Sequence, residues 1–316
     1  MDAPDDLYTL RAQYWLGHYE MALTEARSVA RRPMPQPLKD EREELTVRCR
    51  LAAGDAAGAL EEAGRCRPTP AMAALGALCR YEADGNGEGL ADALRALLAA
   101  PDSGGGEMEA LRLHAGSAFL RAGMAREALQ CCAAGPGGGS APSPRALERT
   151  ALALRVYLSI DRIDLAAGAM ETLRSLDEDS VLVQLCAAQL GTVRGSATAP
   201  DALHHLSSLS EQYGPSLLLL NAVACAHLAA GSYGDASAAL AEARQDHGGD
   251  RDADTLVNSV ACAQHLGAAA ADGALPLLAA LRANHPTHPY VEGLGRVEAA
   301  LDREAAKYRL TGVADA

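Results

Sequence analysis

The feature that most constrains this chain is a phrase that recurs along it at nearly constant spacing. A helical apolar run is followed by a Gly or Asp turn, one further residue, a small or aromatic residue, and then Ala two or three places later. It reads YWLGHYEMALTEA at 14–26 and returns as RLAAGDAAGALEEA, FLRAGMAREALQCC, YLSIDRIDLAAGAM and HLAAGSYGDASAALAEA. The turns fall at Gly17, Gly54, Gly85, Gly123, Asp161, Gly231 and Gly267, at intervals of 37, 31, 38, 38, 70 (twice 35) and 36 residues. A unit of this length holds two helices, and a lone hairpin cannot bury its apolar faces. In-phase repetition therefore predicts hairpins stacked on their neighbours around one elongated core.

Composition agrees. Alanine supplies roughly a fifth of the chain, far above ordinary usage, and it loses no side-chain entropy on becoming helical. With one Trp, one Phe and nine Tyr, the aromatics that strands favour are scarce, which argues against a sheet. The formal charge of −13 disfavours an unspecific hold on nucleic-acid phosphate or anionic lipid, both of which need clustered cations. The nearest basic stretch holds Arg31, Arg32, Lys39, Arg42, Arg48 and Arg50, and Asp40, Glu41, Glu43 and Glu44 largely neutralise it. The opening MDAPDDLYTL lacks the features of a secretory signal. The longest apolar stretch, Leu217–Ala230, is too short to span a bilayer and contains Asn221 and His227. A soluble chain is expected, with its eight cysteines serving as small buried hydrophobes.

The period and its turn resemble the tetratricopeptide repeat, with the fullest matches at Gly17, Tyr19, Ala22 and at Gly231, Tyr233, Ala236. Elsewhere Ala56, Ala125 or Ile163 stands in for the aromatic. The expected fold is all-α: a single domain over 1–316, a right-handed α-α superhelix of about eight helical hairpins, with 290–309 as a polar-faced terminal capping helix. Gly- and Pro-rich stretches at 33–37, 84–89, 101–106, 135–144 and 191–200 are expected as inter-helix loops.

Motifs of chemistry are missing. Neither GGG at 104–106 nor GPGGGS at 135–140 continues into a phosphate-binding loop. His204/His205 and His285/His288 lack the partners of a metal site, and no nucleophile motif is present. Asp177, Glu178 and Asp179 read as caps for the helix that follows. No catalytic residue, cofactor or metal is expected; the function should lie in a partner-binding groove lined by the first helix of each hairpin. Turn phase places Asn221, Cys225 and Leu228 there, then Val257, Ala261 and His265, and in the first repeat Arg11 and Tyr14. Leu228 and Val257 serve equally well as inter-repeat core.

Longer phrases resemble one family more specifically. The stretches at 159–190, 213–243 and 254–267, and the opening LYTLRAQYWLGHYEMALTEARSV, are similar to the epsilon subunit of coatomer, the COPI vesicle coat, in order along nearly the whole chain and most densely over 151–295. That resemblance implies a non-enzymatic coat component of the cytoplasm. It would be peripheral on Golgi membrane and COPI-coated vesicles, and would act in retrograde Golgi-to-ER and intra-Golgi transport. The implied partners are the C-terminal domain of the coatomer alpha subunit and the other coatomer subunits, with membrane contact indirect and no nucleic acid bound. A free-standing tetratricopeptide co-chaperone or scaffold, binding a peptide in its concave groove, is the alternative.

Overall fold

The computed structural model describes residues 5–100, 105–133 and 143–308. Among them are seventeen α-helices and no strand. The chain divides into two compact units, Met1–Ser216 and Leu217–Ala316.

The first unit holds α1 (Tyr8–Trp15), α2 (Tyr19–Val29), α3 (Gln36–Ala52), α4 (Ala56–Arg65), α5 (Pro70–Asp84), α6 (Gly87–Ala99), α7 (Gly105–Arg121), α8 (Ala125–Cys132), α9 (Pro144–Ser159), α10 (Ile163–Leu176), α11 (Val181–Arg194) and α12 (Ala199–Tyr213). The second holds α13 (Leu217–Ala230), α14 (Tyr233–Asp246), α15 (Ala253–His265), α16 (Ala268–Asn284) and α17 (Pro289–Ala305). Each odd helix from α1 to α15 packs on the even helix after it, which makes eight hairpins followed by α17.

The residues that mark the turns do so for a conformational reason. Gly17, Gly54, Gly123 and Gly231 all have φ between 74° and 85°, the left-handed region open to glycine. Asp161, at φ 58°, holds the same place in the fifth hairpin and is the sole non-glycine residue with positive φ among the described residues. The double interval after Asp161 conceals one more turn at Gly195, φ 95°, 34 residues on and 36 before Gly231. The phrase is not carried there: Pro200 stands where five of the repeats carry Ala.

That Ala is the second structural marker. Ala22, Ala59, Ala128, Ala166 and Ala236 each lie five residues beyond their turn, and all are fully buried. A side chain of one methyl lets the second helix of a hairpin close tightly on the first, so the surplus of alanine is a packing requirement as well as a helix-forming one. Starts are supplied locally as well. Asp55, Thr69, Asn86, Ser143 and Asp252 accept backbone N–H bonds of 2.8–3.1 Å at the heads of α4, α5, α6, α9 and α15.

The expected loops at 33–37, 84–89 and 191–200 fall at helix junctions, although α11 runs on through Arg194. Those at 101–106 and 135–144 lie largely outside the described residues. Ahead of α11, the acidic run makes a turn instead of a side-chain cap: Ser180 N–H donates to the Asp177 carbonyl at 3.5 Å, and no side chain bonds the first N–H groups. The helix expected over 290–309 forms as α17, but its apolar side is open: Val297 and Leu301 are two-thirds exposed and none of its residues is buried.

Candidate partner-binding surface

In the first unit the odd helices turn a set of charged side chains toward one another. Glu41, Glu44 and Arg48 sit on α3 at intervals of three and four, so they share one helical face with buried Leu45. Arg11, on α1 and 4% exposed, donates to Glu41 through Nε (2.6 Å) and Nη2 (3.0 Å), and through Nη1 to Asp5 at 2.5 Å. Arg48 forks onto Glu148 of α9 at 3.0 and 3.1 Å, while the indole N–H of Trp15 donates to the same carboxylate at 2.7 Å. The Tyr14 ring lies beneath the Arg48 guanidinium, 4.3 Å from centroid to carbon, and 6.1 Å from the Tyr19 ring. Glu44, 3% exposed, accepts from His114 Nε2 of α7 and from Arg145 Nη1 of α9, both at 3.0 Å.

Electrostatics follow from this geometry. Burial alone would raise the Glu44 carboxyl, but the hydrogen bonds from His114 and Arg145 and the charge of Arg145 outweigh it and hold the group at about 2. Burial drives His114 below its ordinary range, so the imidazole is neutral at pH 7. Since an ionised carboxylate has no proton to give, the shared hydrogen belongs to His114 Nε2. Glu148 is likewise lowered: burial opposes its charge, and Arg48 and Trp15 overcome that cost. The arrangement is a set of neutralised ion pairs, not an acid and base poised to exchange protons.

The network also brings distant helices together. α1 touches α3 and α11, and Trp15 joins the apolar cluster of α9, α10 and α11. Ser216 Oγ donates to the Leu16 carbonyl at 2.5 Å across 200 residues. Arg11 and Tyr14 are thus brought to the inner faces of the odd helices, where the chain's own carboxylates and Arg48 already engage them. Arg11 also lines a cavity of about 190 Å³ with Tyr8, Trp15, Leu147 and Leu176.

In the second unit the odd helices α13 and α15 are joined by amides. Asn221 Nδ2 donates to Thr255 Oγ1 at 2.7 Å and to the Leu217 carbonyl at 3.0 Å, and its Oδ1 accepts from Asn258 Nδ2 at 2.9 Å. Leu228, partly buried, packs against the cluster of Ala224, Ala236, Leu240 and Cys262. Cys225, Val257 and Ala261 are half-buried, and burial raises the Cys225 thiol. His265 is exposed and stacks on Tyr233 at 4.6 Å with planes 7° apart. Asn221, Thr255 and Asn258 are therefore brought together, while His265 stands at the far end of α15.

The inner charges were missed from sequence because 31–50 reads as a mixed-charge surface, and its partners lie 30 to about 100 residues away. The legible signal was the helical spacing of 41, 44 and 48. Among the described residues no group of three or more His, Cys, Asp or Glu side chains could hold a metal ion. No helix among them is long and apolar enough to cross a membrane.

Comparison with known proteins adds relatives to this geometry. The family model described as Coatomer epsilon subunit matches residues 3–309. Coatomer subunit epsilon-2 of Oryza sativa subsp. indica is 30% identical over 304 residues, 95% of this chain and 96% of that protein. Coatomer subunit epsilon-1 of Arabidopsis thaliana is 28% identical, covering 96% and 97%, and coatomer subunit epsilon of Caenorhabditis elegans 26% identical, covering 96% and 99%. A tetratricopeptide repeat protein from Parabacteroides merdae, solved by crystallography, aligns with a TM-score of 0.56 at 13% identity over 82% of this chain and 98% of its own, a likeness of fold.

Proposed function

The chain belongs to the coatomer epsilon subunit family, and from that premise we propose that it is a non-enzymatic subunit of the COPI coat that holds the C-terminal domain of the coatomer alpha subunit. Through that partner it joins the other coatomer subunits and supports retrograde Golgi-to-ER and intra-Golgi transport. It works in the cytoplasm and on the surface of Golgi membrane and coated vesicles.

The observation that carries this reading is the match over 3–309, which takes in every hairpin of both units. The physical character of the chain supports it. A net charge of −13 gives no attraction to anionic lipid, so membrane contact runs through neighbours. The inner faces carry side chains that bind by shape and hydrogen bonding, and none is arranged as a proton-transfer pair. Asn221, Cys225, Leu228, Val257, Ala261 and His265 in the second unit, with Arg11 and Tyr14 in the first, are the proposed partner-facing set. Of these, His265 is the most exposed and Arg11 the most buried.

Affinity purification of the tagged full chain from its own cytosol tests the assignment. Stoichiometric recovery of the other coatomer subunits is the expected result. Recovery of a chaperone or of RNA in their place would overturn it.

A further inference from the structure

A second surface lies outside the inner network, on the helices α6, α7 and α8. They enclose a cleft of about 500 Å³, open to solvent on one side. Arg95 of α6, Arg112 of α7 and Arg126 of α8 converge on it, above a floor that includes Leu98 and Phe119.

What marks these arginines is how the carboxylates around them are used. Glu109, three residues before Arg112 on α7, bonds to Arg149 at 3.2 Å. Glu127, next to Arg126, bonds to Arg95 at 3.2 Å. Arg121, at the end of α7, takes Glu82 at 2.7 Å. Arg112 and Arg126 make no ion pair among the described residues, although carboxylates stand beside both. Arg95 is shared between Asp92 at 3.5 Å and Glu127, so the cleft's unpaired cations are Arg112 and Arg126, in a chain whose total charge is −13.

We propose that this cleft binds a phosphoserine- or phosphothreonine-bearing segment of a protein partner. A phosphoryl monoester carries about −1.5 to −2 at pH 7, a charge that the two unpaired guanidinium groups of Arg112 and Arg126 can meet, and its oxygens accept the paired N–H bonds of a guanidinium fork. Half-buried Arg112 supplies a fixed donor below, and exposed Arg126 reaches the group from the rim. The open side admits a chain that continues in both directions, and the floor at Leu98 and Phe119 receives an apolar side chain beside the phosphoryl group. A small metabolite would favour an enclosed site, where most of its surface is covered.

The test uses the full chain and two fluorescent pools of short peptides, degenerate except at the centre, where one carries phosphoserine and the other serine. Fluorescence anisotropy is expected to show saturable binding of the phosphoserine pool alone, weakened by salt. Arg112→Gln and Arg126→Gln should each cut that affinity about tenfold, the equivalent of one charge-assisted hydrogen bond. Arg303→Gln, on α17, should leave it unchanged. Helical circular dichroism checks that each variant is folded, and exposed Arg126 keeps the test open if Arg112→Gln is not. Equal binding of the two pools, or wild-type affinity in a folded Arg126→Gln, would overturn the proposal. Binding of inorganic phosphate with no binding of the phosphoserine pool would overturn it too, by showing a site for the free ion.

Discussion

Glu44→Gln isolates the contribution of the inner charge network to the first unit. Glu44 is 3% exposed and accepts from His114 and Arg145 at 3.0 Å each. The glutamine keeps the shape and can still accept one bond, but the charge addressed by Arg145 is gone and that guanidinium faces a neutral group. Holding a carboxyl at about 2 in place of 4.5 corresponds to about 3 kcal/mol. Breaking a buried pair by removing one partner typically costs about 3–5 kcal/mol, so the two routes agree. For a unit of this size, ~3 kcal/mol should lower the melting temperature by about 6–12 °C. The assay is built into the chain, because its single tryptophan, Trp15, lies in this unit and bonds to Glu148. Glu61→Gln, in an exposed pair with Arg65, is the control and should have almost no effect. Acid should reproduce the loss in wild type. The Glu44 carboxyl is lowered when folded, so its stabilisation is full above pH 4.5 and disappears as pH falls through about 2. His114, also lowered, begins to favour the unfolded state as pH drops below 6.5. A Glu44→Gln transition within about 0.5 kcal/mol of wild type, the ordinary scatter of surface substitutions, would refute the reasoning.

Further outcomes follow from the same packing. Asn221→Ala should cost about 1–3 kcal/mol in the second unit, because Thr255 and Asn258 lose a buried partner. Leu228→Asp should lower the same melting transition through its apolar cluster, whereas His265→Ala should leave it unchanged; chemical denaturation followed by circular dichroism separates the three. Gly231→Ala, at φ 78°, should destabilise by about 1–2 kcal/mol, and Asp161→Gly, at φ 58°, should be neutral or stabilising, as urea titration will show. Burial pushes Cys49 and Cys186 up to about 12 and Cys79 and Cys131 up to about 11. Iodoacetamide at pH 7 should therefore label them only slowly until denaturant is added, which mass spectrometry can count.

The period was legible because its marker is a backbone requirement: a left-handed turn shows itself as Gly or, at position 161, as Asp. The alanine five residues on was legible for a similar reason, since at five of the turns the close helix pair is filled by a single buried methyl. One hairpin turn, at Gly195, stayed hidden where Pro200 broke the phrase. The groove residues were less legible. Turn phase identifies a helix face, but it does not say what the next helix puts against that face. Asn221 is satisfied by Thr255, 34 residues on and one repeat later, and Arg11 by Glu41, 30 residues on. Arg48 and Glu148 are 100 residues apart, and nothing local in either sequence neighbourhood points to the other. Charges in a repeat stack read as solvated until the helices that neutralise them are placed.

The alpha-subunit assignment faces its most direct test in a mixture of the purified full chain with the purified C-terminal domain of the coatomer alpha subunit, resolved by size-exclusion chromatography with light scattering. A single stoichiometric complex is expected, with the chain stabilised by about 2.7 kcal/mol at a hundredfold excess over the dissociation constant and its melting temperature raised accordingly. Separate elution of the two proteins at micromolar concentration, with an unshifted melting transition, would contradict it.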